Sequence, residues 1–524
     1  MFVPGTVFLA VALAAPLFLV LLLRIFHGGK SKTNSSRLPP GPPSWPVIGN
    51  LLDLGTNPRK VFKRPHQMLV ELQQKYGPVF MLRLGAVNTL VIGSADVAME
   101  FFKNHDQAFI NRVLPKIFNV VVDEHGNNMT PFNQHGSHWR MMRRLYATTL
   151  FSGPMLQNTI GKRRRFVDRI IEWISVEEKA GRSVELNLLI FISQVNLIGD
   201  LLFSRDLMDL KSGTRDEFFV LVNEIATIIK TPNLADLFSW LGNSDPQNLT
   251  KRMKKAWDAS LNIVDGIAKE RMRMGLVCKS DEQKDFLDVL MDFEGDGKDE
   301  AWKFSDRQIN LFALELVAGS TDTIASVIEW AMTELLRNPE AMKKVNAEIS
   351  QVVGYDRKIE EKDIESLPYL WAVLKEALRL HPVAPFLIPR INVEETNFMG
   401  YLIPKDTVVL VNAWGIGRES ASWDDPFSFN PDRFLGTNVH YHGQHFGFLP
   451  FGSGRRICPG IPLTQQVLPI VLGSLLQSFD WALESAVTPE SIDMGESYTV
   501  VLHKTIPLKV MPTTKSIGRQ PNLV

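Results

Sequence analysis

The sequence predicts a mainly α-helical fold with smaller β regions (α+β), preceded by one transmembrane helix. Amphipathic patterns typical of helices cover residues 138–150, 160–179, 214–230 and 249–275. The strongest helical signal, over residues 309–336, is nearly all apolar. An early β region is indicated only at residues 79–94, where two short apolar runs flank a turn and predict a hairpin that Ser94 or Asp96 joins to a helix. There are no internal repeats.

The composition excludes several classes of protein. The 57 basic and 57 acidic side chains balance, which gives no electrostatic reason to expect nucleic acid as a partner. Two cysteines about 180 residues apart do not form a disulfide framework, and this favours a reducing compartment. Hydrophobic residues make up 45% of the chain and include 31 phenylalanines, which indicates a large, dry interior.

The N-terminus predicts a membrane anchor, because residues 2–23 carry no charged side chain. At about 1.5 Å per residue, a helix of this length reaches roughly 33 Å, enough to cross a hydrocarbon core of about 30 Å. A cleaved signal peptide also has an apolar run, but no charged segment precedes this one and no small-residue cleavage site follows it. The positive-inside rule leaves the body in the cytosol, because the basic residues follow the run: Arg24, Lys30, Lys32 and Arg37.

The segment after the anchor predicts a stiff connection to the body. Five prolines lie between Leu38 and Pro46, a density that favours an extended chain over helix or sheet. We therefore expect an anchor at residues 1–24, a polar spacer and Pro-rich hinge at 25–50, and one catalytic domain at 51–524.

The stretch Phe451-Gly-Ser-Gly-Arg-Arg-Ile-Cys-Pro-Gly460 surrounds one of the two cysteines with residues that let the backbone bend tightly. Backbone N–H groups directed at a sulfur keep it deprotonated, as a metal-bound thiolate requires. Zinc usually takes four clustered ligands, whereas the iron of haem needs only one from the protein. The alternative is a structural cysteine in a Gly-rich turn.

The long apolar helix is interrupted by Gly319-Ser-Thr-Asp322-Thr323. A glycine inside a helix costs about 1 kcal/mol relative to alanine, and hydroxyl side chains compete for backbone hydrogen bonds. A ligand above Gly319 would lie beside the Thr323 hydroxyl, and Asp322 would supply protons from the far side. Glu315 falls on the same stripe, one turn earlier. The alternative is a kinked packing helix.

Two further pairs carry possible roles. Trp139 and Arg143 are four residues apart, so an indole N–H and a guanidinium on one helical face could grip a carboxylate. The alternative for this pair is a surface arginine beside a half-buried tryptophan. Glu376 and Arg379 stand at i and i+3 in an apolar helix, which predicts a buried structural ion pair.

Together, these stretches resemble the motif set of the cytochrome P-450 superfamily of haem-thiolate monooxygenases, in the expected order. The matching motifs are Trp-x-x-x-Arg, Glu-x-x-Arg, Pro-x-Arg-Phe and Phe-x-x-Gly-x-Arg-x-Cys-x-Gly, carried here by Trp139, Arg143, Glu376, Arg379, Pro431, Arg433, Phe434, Phe451, Gly454, Arg456, Cys458 and Gly460. The anchor, the hinge and the phrase IEWAMTELLRNP resemble plant microsomal members of the A-type group. Terpenoid-oxidising families are nearest and alkaloid-oxidising families next.

The resemblance implies a helical body around a buried haem b (iron protoporphyrin IX), with Cys458 as the axial ligand of its iron. It implies that Thr323, with Asp322, supplies protons for dioxygen activation. The residues that would hold the haem and its propionates are Trp139, Arg143, Arg390, Phe451 and Arg456. Those that would form a buried network securing the haem loop are Glu376, Arg379 and Arg433.

The resemblance also implies partners and a location. Electrons would come from NADPH through a separate NADPH-cytochrome P-450 reductase that docks near Cys458. The protein would be a single-pass protein of the endoplasmic reticulum membrane, in contact with lipid. The chain departs from the family pattern at Ser320, where glycine is usual, and at Ile324, which replaces a second hydroxyl.

We therefore expect an anchored monooxygenase that uses O2 to hydroxylate or otherwise oxidise a lipophilic plant specialised metabolite, with a terpenoid favoured. Glu315 could pair with an amine, so an alkaloid oxidase or an oxidative coupling enzyme of the same fold is the alternative. A haem-binding protein without turnover is a remoter one. The residues expected to line the substrate pocket are Glu315, Gly319, Val383, Phe386 and Tyr498.

Overall fold

The computed structural model describes residues 38–54, 64–208, 216–273, 284–293, 303–485, 487–498 and 501–515. The expected anchor, residues 1–24, lies outside these ranges.

The body of the protein is mainly helical, as predicted. Its α-helices are α1 (Pro65–Tyr76), α2 (Ala95–Asn104), α3 (Ser137–Leu145), α4 (Gly153–Asn158), α5 (Ile160–Lys179), α6 (Leu186–Phe203), α7 (Glu217–Lys230), α8 (Leu234–Leu237), α9 (Leu249–Arg273), α10 (Phe286–Met291), α11 (Asp306–Arg337), α12 (Pro339–Val352), α13 (Pro368–Leu380), α14 (Ala413–Ile416) and α15 (Ile461–Ser478). The predicted amphipathic stretches correspond to α3, α5, α7 and α9. The first of them is split, because α3 continues into a π-helical turn, Tyr146–Leu150.

The β structure consists of short strands: β1 (Val79–Leu84), β2 (Val87–Ile92), β3 (Asn111–Arg112), β4 (Val184–Glu185), β5 (Arg390–Ile391), β6 (Thr396–Phe398), β7 (Tyr401–Ile403), β8 (Val408–Val411), β9 (Phe479–Leu483), β10 (Glu496–Tyr498), β11 (Leu502–Lys504) and β12 (Lys509–Thr514). One five-stranded sheet has the order β1-β2-β8-β5-β3, and β4-β12-β9 form a second sheet. The pairs β6-β7 and β10-β11 are separate two-stranded sheets.

The predicted hairpin is the first element of the large sheet. Strands β1 and β2 are antiparallel, with Val79 opposite Ile92, whereas β2 and β8 run parallel. The Ser94 side chain then caps α2 by accepting a hydrogen bond from the Val97 backbone N–H. Sheet, turn and cap therefore follow the local pattern of the sequence.

The Pro-rich segment packs on this sheet. The Met81 N–H donates to the Pro40 carbonyl at 2.8 Å, and the Asn50 N–H donates to the Arg83 carbonyl at 2.5 Å. Its described part, residues 38–50, is thus hydrogen-bonded to β1.

Helix α11 is the central element. Ser305 caps it by accepting from the Gln308 N–H, and the Gln308 side chain accepts in return from the Ser305 N–H. The helix runs unbroken for 32 residues and ends just before Pro339. Most of its residues are buried in one hydrophobic core that also includes α3, α5, α6, α9, α13 and α15.

Two helices among the described residues are long and apolar enough to span a membrane, namely α6 and α11. Of their most apolar windows, 78% and 72% of the residues are buried inside the protein, so both are core helices.

A buried ion network fixes α13 to the segment that leads to the Cys458 loop. Arg379 donates to both oxygens of Glu376, each at 2.7 Å, and both side chains are fully buried. Arg379 also donates to the carbonyls of Gly417 and Pro426. Arg433 joins the network through its Nε, 3.0 Å from Glu376 Oε1. Both hydrogen bonds of Arg379 Nη1 therefore hold the long loop that connects α14 to the Cys458 region.

Replacing Arg379 by alanine should lower the free energy of unfolding by about 3–5 kcal/mol, because the buried Glu376 carboxylate loses two charge-assisted hydrogen bonds and keeps Arg433 as its remaining ion-pair partner among the described residues. Chemical denaturation followed by far-UV circular dichroism measures this loss. The matched control is Arg182→Ala, which removes the exposed ion pair with Glu177 and should leave the midpoint unchanged. Equal midpoints for the two variants would contradict a stabilising role of the network.

Candidate active site

A cavity of about 370 Å³ lies between helix α11 and the loop that carries Cys458. Most of its lining is apolar, and it is wide over Gly319, where a Cβ atom would meet no other atom within 4 Å. Eleven of the residues singled out from the sequence line this cavity: Trp139, Arg143, Glu315, Gly319, Thr323, Val383, Phe386, Arg390, Phe451, Arg456 and Cys458.

Five of the singled-out residues lie elsewhere. Glu376, Arg379 and Arg433 form the network described above, behind the cavity wall. Tyr498 packs on Phe386, with ring centroids 5.2 Å apart, and is therefore one side chain removed from the cavity. Asp322 points away from it, and its Oδ2 lies 3.1 Å from His503 Nε2.

The Cys458 sulfur is open to the cavity although it lies deep within the protein. Burial raises the pKa of the thiol, whereas the backbone N–H groups of Gly460 and Ile461 and the charge of Arg143 oppose that rise. These N–H groups form the start of α15, where the helix dipole also favours negative charge. The predicted N–H environment of the sulfur is thus present.

The glycines of this loop have a specific steric role. Gly454 adopts a φ of +71°, and a Cβ there would lie 2.2 Å from Asp106 Oδ1. Asp106 in turn accepts hydrogen bonds from Arg390 Nη1, at 2.5 Å, and from Arg455. A side chain at position 454 would collide with Asp106, so glycine is required for the loop to pack against this carboxylate. In this packing, Arg390 and Arg456 lie at the cavity.

Three buried arginines, Arg112, Arg390 and Arg456, and the half-buried Arg143 line the cavity from different elements. They are held through backbone carbonyls. Arg143 donates to Ile457 O at 2.7 Å. Arg390 donates to Ser453 O at 2.9 Å, Arg456 donates to Ile110 O at 3.0 Å and Asn133 O at 2.7 Å, and Arg112 donates to Ile388 O.

This cluster carries more positive charge than the protein neutralises. Burial lowers the pKa of each of the four guanidinium groups, and mutual repulsion adds to the effect at Arg112 and Arg456, the latter with a pKa of about 10. The carboxylate of Asp106 opposes this effect at Arg112, Arg390 and Arg456. Arg456 Nη1 and Arg112 Nε are buried and have no hydrogen-bond partner among the described residues. The site is therefore built to receive an anion.

These features fit haem. The apolar walls would suit a flat tetrapyrrole, the Cys458 thiol would offer a ligand to its iron, and the unpaired guanidinium nitrogens of Arg112 and Arg456 would suit its propionates. The described residues contain no group of three or more His, Cys, Asp or Glu side chains that could hold a metal ion by themselves. The site can therefore hold a metal that already has four ligands of its own, as the iron of haem does.

The hydroxyl groups of α11 bond to its own backbone. Ser320 donates to Leu316 O at 2.6 Å, and Thr323 donates to Gly319 O at 3.0 Å. Both line the cavity, as does Ile324, so the two departures from the family pattern lie on the cavity wall. The helix is continuous here, and the opening arises from missing side chains, not from a kink.

Glu315 is engaged by the protein itself. Its Oε1 accepts a hydrogen bond from the Tyr146 hydroxyl at 2.6 Å, and its Oε2 accepts one from the Thr130 backbone N–H at 2.7 Å. Burial raises the pKa of Glu315, against the effect of these hydrogen bonds. The carboxyl group therefore joins α3, α11 and the loop at Thr130 along one side of the cavity.

Two loops complete the cavity wall, and one buried carboxylate links them. Glu496, the first residue of β10 and five residues before Val501, accepts hydrogen bonds from His66 at 2.8 Å and Trp414 at 3.1 Å, and lies 3.3 Å from His381 Nδ1. His381 directly precedes the wall segment at Val383. Burial acts to raise the pKa of Glu496, but His381 and His66 outweigh it and hold the pKa well below its usual range.

Several residues of the site were not identified from the sequence: Asp106, Arg112, Thr130, Tyr146 and Gln194. Tyr146 carried a signal, because it stands three residues after Arg143 and seven after Trp139, on the same helical face. Arg112 carried none, since its partners come from loops nearly 280 residues away.

Comparison with known proteins agrees with this geometry. Residues 39–510 match the family described as Cytochrome P450. The chain is 43% identical over 509 residues to an iridoid oxidase of Catharanthus roseus, covering 96% of each chain. It is 43% identical to Cytochrome P450 76A2 of Solanum melongena, covering 97% of this chain and 98% of the relative. It is 38% identical to a geraniol 8-hydroxylase of Catharanthus roseus, covering 95% and 98%. With a family match over nearly the whole chain and relatives of this identity, the chain belongs to the cytochrome P450 family and is a monooxygenase.

Proposed function

We propose that this protein is a membrane-anchored haem-thiolate monooxygenase that oxidises a lipophilic terpenoid. The proposal rests on one observation: the thiol of Cys458 opens into a mainly apolar cavity that is also lined by four arginines. When bound, haem would supply the oxidising chemistry, in which O2, two electrons and two protons place one oxygen atom in a C–H bond and the other in water.

The residues of the chain have distinct roles in this proposal. Cys458 holds the iron, and the N–H groups at the start of α15 stabilise its thiolate. Arg112 joins the predicted set of Trp139, Arg143, Arg390, Phe451 and Arg456 in holding the haem and its propionates. The surplus positive charge of the cavity, with its orphaned guanidinium nitrogens, supports this assignment.

Thr323 and Asp322 are proposed to move protons. The Thr323 hydroxyl lines the cavity beside the open space over Gly319, so it can hold a proton next to the reacting oxygen. Asp322 faces the other way, toward His503, and can take up protons from that side.

A terpenoid is favoured by the site and by the relatives. The cavity is mainly apolar, and both oxygens of Glu315 already accept hydrogen bonds from the protein, which leaves this carboxyl group less available to an amine. Relatives named iridoid oxidase and geraniol 8-hydroxylase support the same class.

The location and the electron supply are proposed from the N-terminal sequence and from the family resemblance. The uncharged run at residues 2–23, followed by basic residues, supports a single-pass anchor in the endoplasmic reticulum membrane with the catalytic domain in the cytosol. Electrons are proposed to come from NADPH through a separate reductase.

Cys458→Ser should abolish the 450 nm band of the reduced, carbon monoxide-treated protein, together with monooxygenation, because the thiolate ligand is lost. The carbon monoxide difference spectrum measures this. The control is Cys278→Ser, which should retain the band. A Cys458→Ser protein with normal turnover would refute the assignment.

Arg112→Leu should speed the loss of haem roughly tenfold, because it removes one charge-assisted hydrogen bond to the bound anion. Transfer of haem to apomyoglobin, followed by absorbance, gives the rate without an activity assay. Arg140→Leu, on the exposed face of α3, is the matched control. Identical rates for the two variants would show that Arg112 does not hold the haem.

Thr323→Val should lower the amount of product formed per NADPH consumed, because the hydroxyl that passes protons is lost while the cavity volume is kept. Product and NADPH are measured together with reductase and a terpenoid substrate such as geraniol. Thr321→Val is the control, since Thr321 is buried away from the cavity and donates to Val317 O. Unchanged coupling in the Thr323 variant would argue against this role.

A further inference from the structure

Asp322 lies on the face of α11 that turns away from the cavity, and one strand packs against that face. Asp322, Ser326 and Trp330 are spaced four residues apart and so share one side of the helix. On β11, the Leu502 carbonyl accepts hydrogen bonds from Ser326 Oγ at 2.8 Å and from Trp330 Nε1 at 3.2 Å. The strand is therefore fixed to the same helical face that carries Asp322.

This strand brings His503 to Asp322. His503 Nε2 lies 3.1 Å from Asp322 Oδ2, which is a hydrogen-bonding distance. Nε2 nevertheless makes no well-formed hydrogen bond among the described residues, so the two groups are close without being locked together. The side chains of His503 and Asp322 are 16% and 26% exposed, so water reaches the pair from outside the protein.

The charged groups around His503 come from α11 and from its own strand. On α11 it faces Asp322 and Glu329. Burial raises the pKa of Glu329, and the positive charges of Lys504 and His503 oppose that rise. On the paired strand β10, the residue opposite His503 is Ser497, which is uncharged. Of these side chains, an imidazole is the kind that ordinarily gains and loses a proton near neutral pH.

We propose that His503 passes protons from the solvent to Asp322. The inference rests on the proposed function and names the group that supplies its acid. His503 is a positioning residue, because it acts through Asp322 and does not line the cavity.

The transfer moves one proton and no electron. The Nε2–H bond of the imidazolium breaks, and an O–H bond forms at Asp322 Oδ2. The neutral imidazole then regains a proton from water, and Asp322 releases its own toward Thr323. The two protons that the proposed reaction consumes can enter in this way, one after the other.

The test uses the full-length, haem-loaded protein with reductase and geraniol, and measures product formed per NADPH between about pH 6 and pH 9. His503→Gln keeps a side chain that can donate a hydrogen bond to Asp322 but that cannot carry a proton. Near the acid end of this range it should lower the product per NADPH roughly fivefold. This loss is smaller than the roughly 100-fold effect of a positioned acid, because water still reaches Asp322.

The pH profile separates proton transfer from a structural role. Wild-type product per NADPH should fall as the pH rises and an imidazole loses its proton, whereas the profile of His503→Gln should be flat. His105→Gln is the matched control, since His105 Nε2 also lies 3.1 Å from a carboxylate oxygen, that of Glu100. This control should keep the wild-type profile.

A second measurement reads the contact without turnover. The unfolding midpoints of the wild type, His503→Gln, Asp322→Asn and the double variant are compared by circular dichroism. The two substitutions should be non-additive at about pH 6, where an imidazole is charged, and additive at about pH 9, where it is neutral.

A wild-type pH profile in His503→Gln would overturn the inference, and so would an equal loss in His105→Gln. A loss in His503→Gln that is the same at every pH would mean a structural ion pair only and would overturn it too. Additive midpoints at both pH values would show that the two side chains do not interact. If a wild-type protein that retains its 450 nm band forms no product from any terpenoid, the proposed function itself fails, and this inference with it.

Discussion

Unbalanced positive charge is the constraint on which the centre of this protein depends. Four arginines, three of them buried, line one cavity, and Asp106 offsets the charge of Arg112, Arg390 and Arg456. Leaving a buried charge unpaired costs several kcal/mol, so an anion that pairs with Arg112 Nε and Arg456 Nη1 should stabilise the arrangement. Because such a ligand binds the folded chain and not the unfolded one, its binding free energy adds to the stability of the fold. The absence of a side chain at Gly454 leaves room for Asp106, which accepts hydrogen bonds from Arg390 and Arg455 and so offsets part of the positive charge.

Helix α11 borders a cavity inside the core and yet remains continuous. The helix keeps every turn, and the space comes from side chains that are small at Gly319 and Ser320. The hydroxyl groups of Ser320 and Thr323 donate to carbonyls of the preceding turn, so both polar side chains are hydrogen-bonded within the helix itself. The result is a rigid wall with a gap, against which a ligand can be held in one orientation.

The parts of this structure that depend on neighbouring residues could be predicted from the sequence. Helix α5 has the predicted bounds, the hairpin has the predicted strands, and Ser94 caps α2 as expected. The resemblance to the haem-thiolate family also implied that Cys458 and the interrupted helix lie at the same site. Contacts between distant segments could not be predicted, because nothing in the spacing of Tyr146 and Glu315 indicates that they meet. The same long-range contact explains why Glu315, read alone, suggested an amine partner.

The buried carboxylate of Glu496 has an evolutionary consequence. It connects two cavity-lining loops, at Val383 and at Val501, that are more than 100 residues apart in the chain. Its side chain contacts His381, two residues before Val383, and its own strand β10 precedes Val501. The Leu502 N–H also donates to the Val383 carbonyl, at 2.8 Å, so the backbones of the two loops are joined directly. A substitution in one loop will therefore shift the other, and their effects will not add. New substrate preferences in this lineage should arise through paired, mutually compensating changes, with epistasis limiting which single steps are viable.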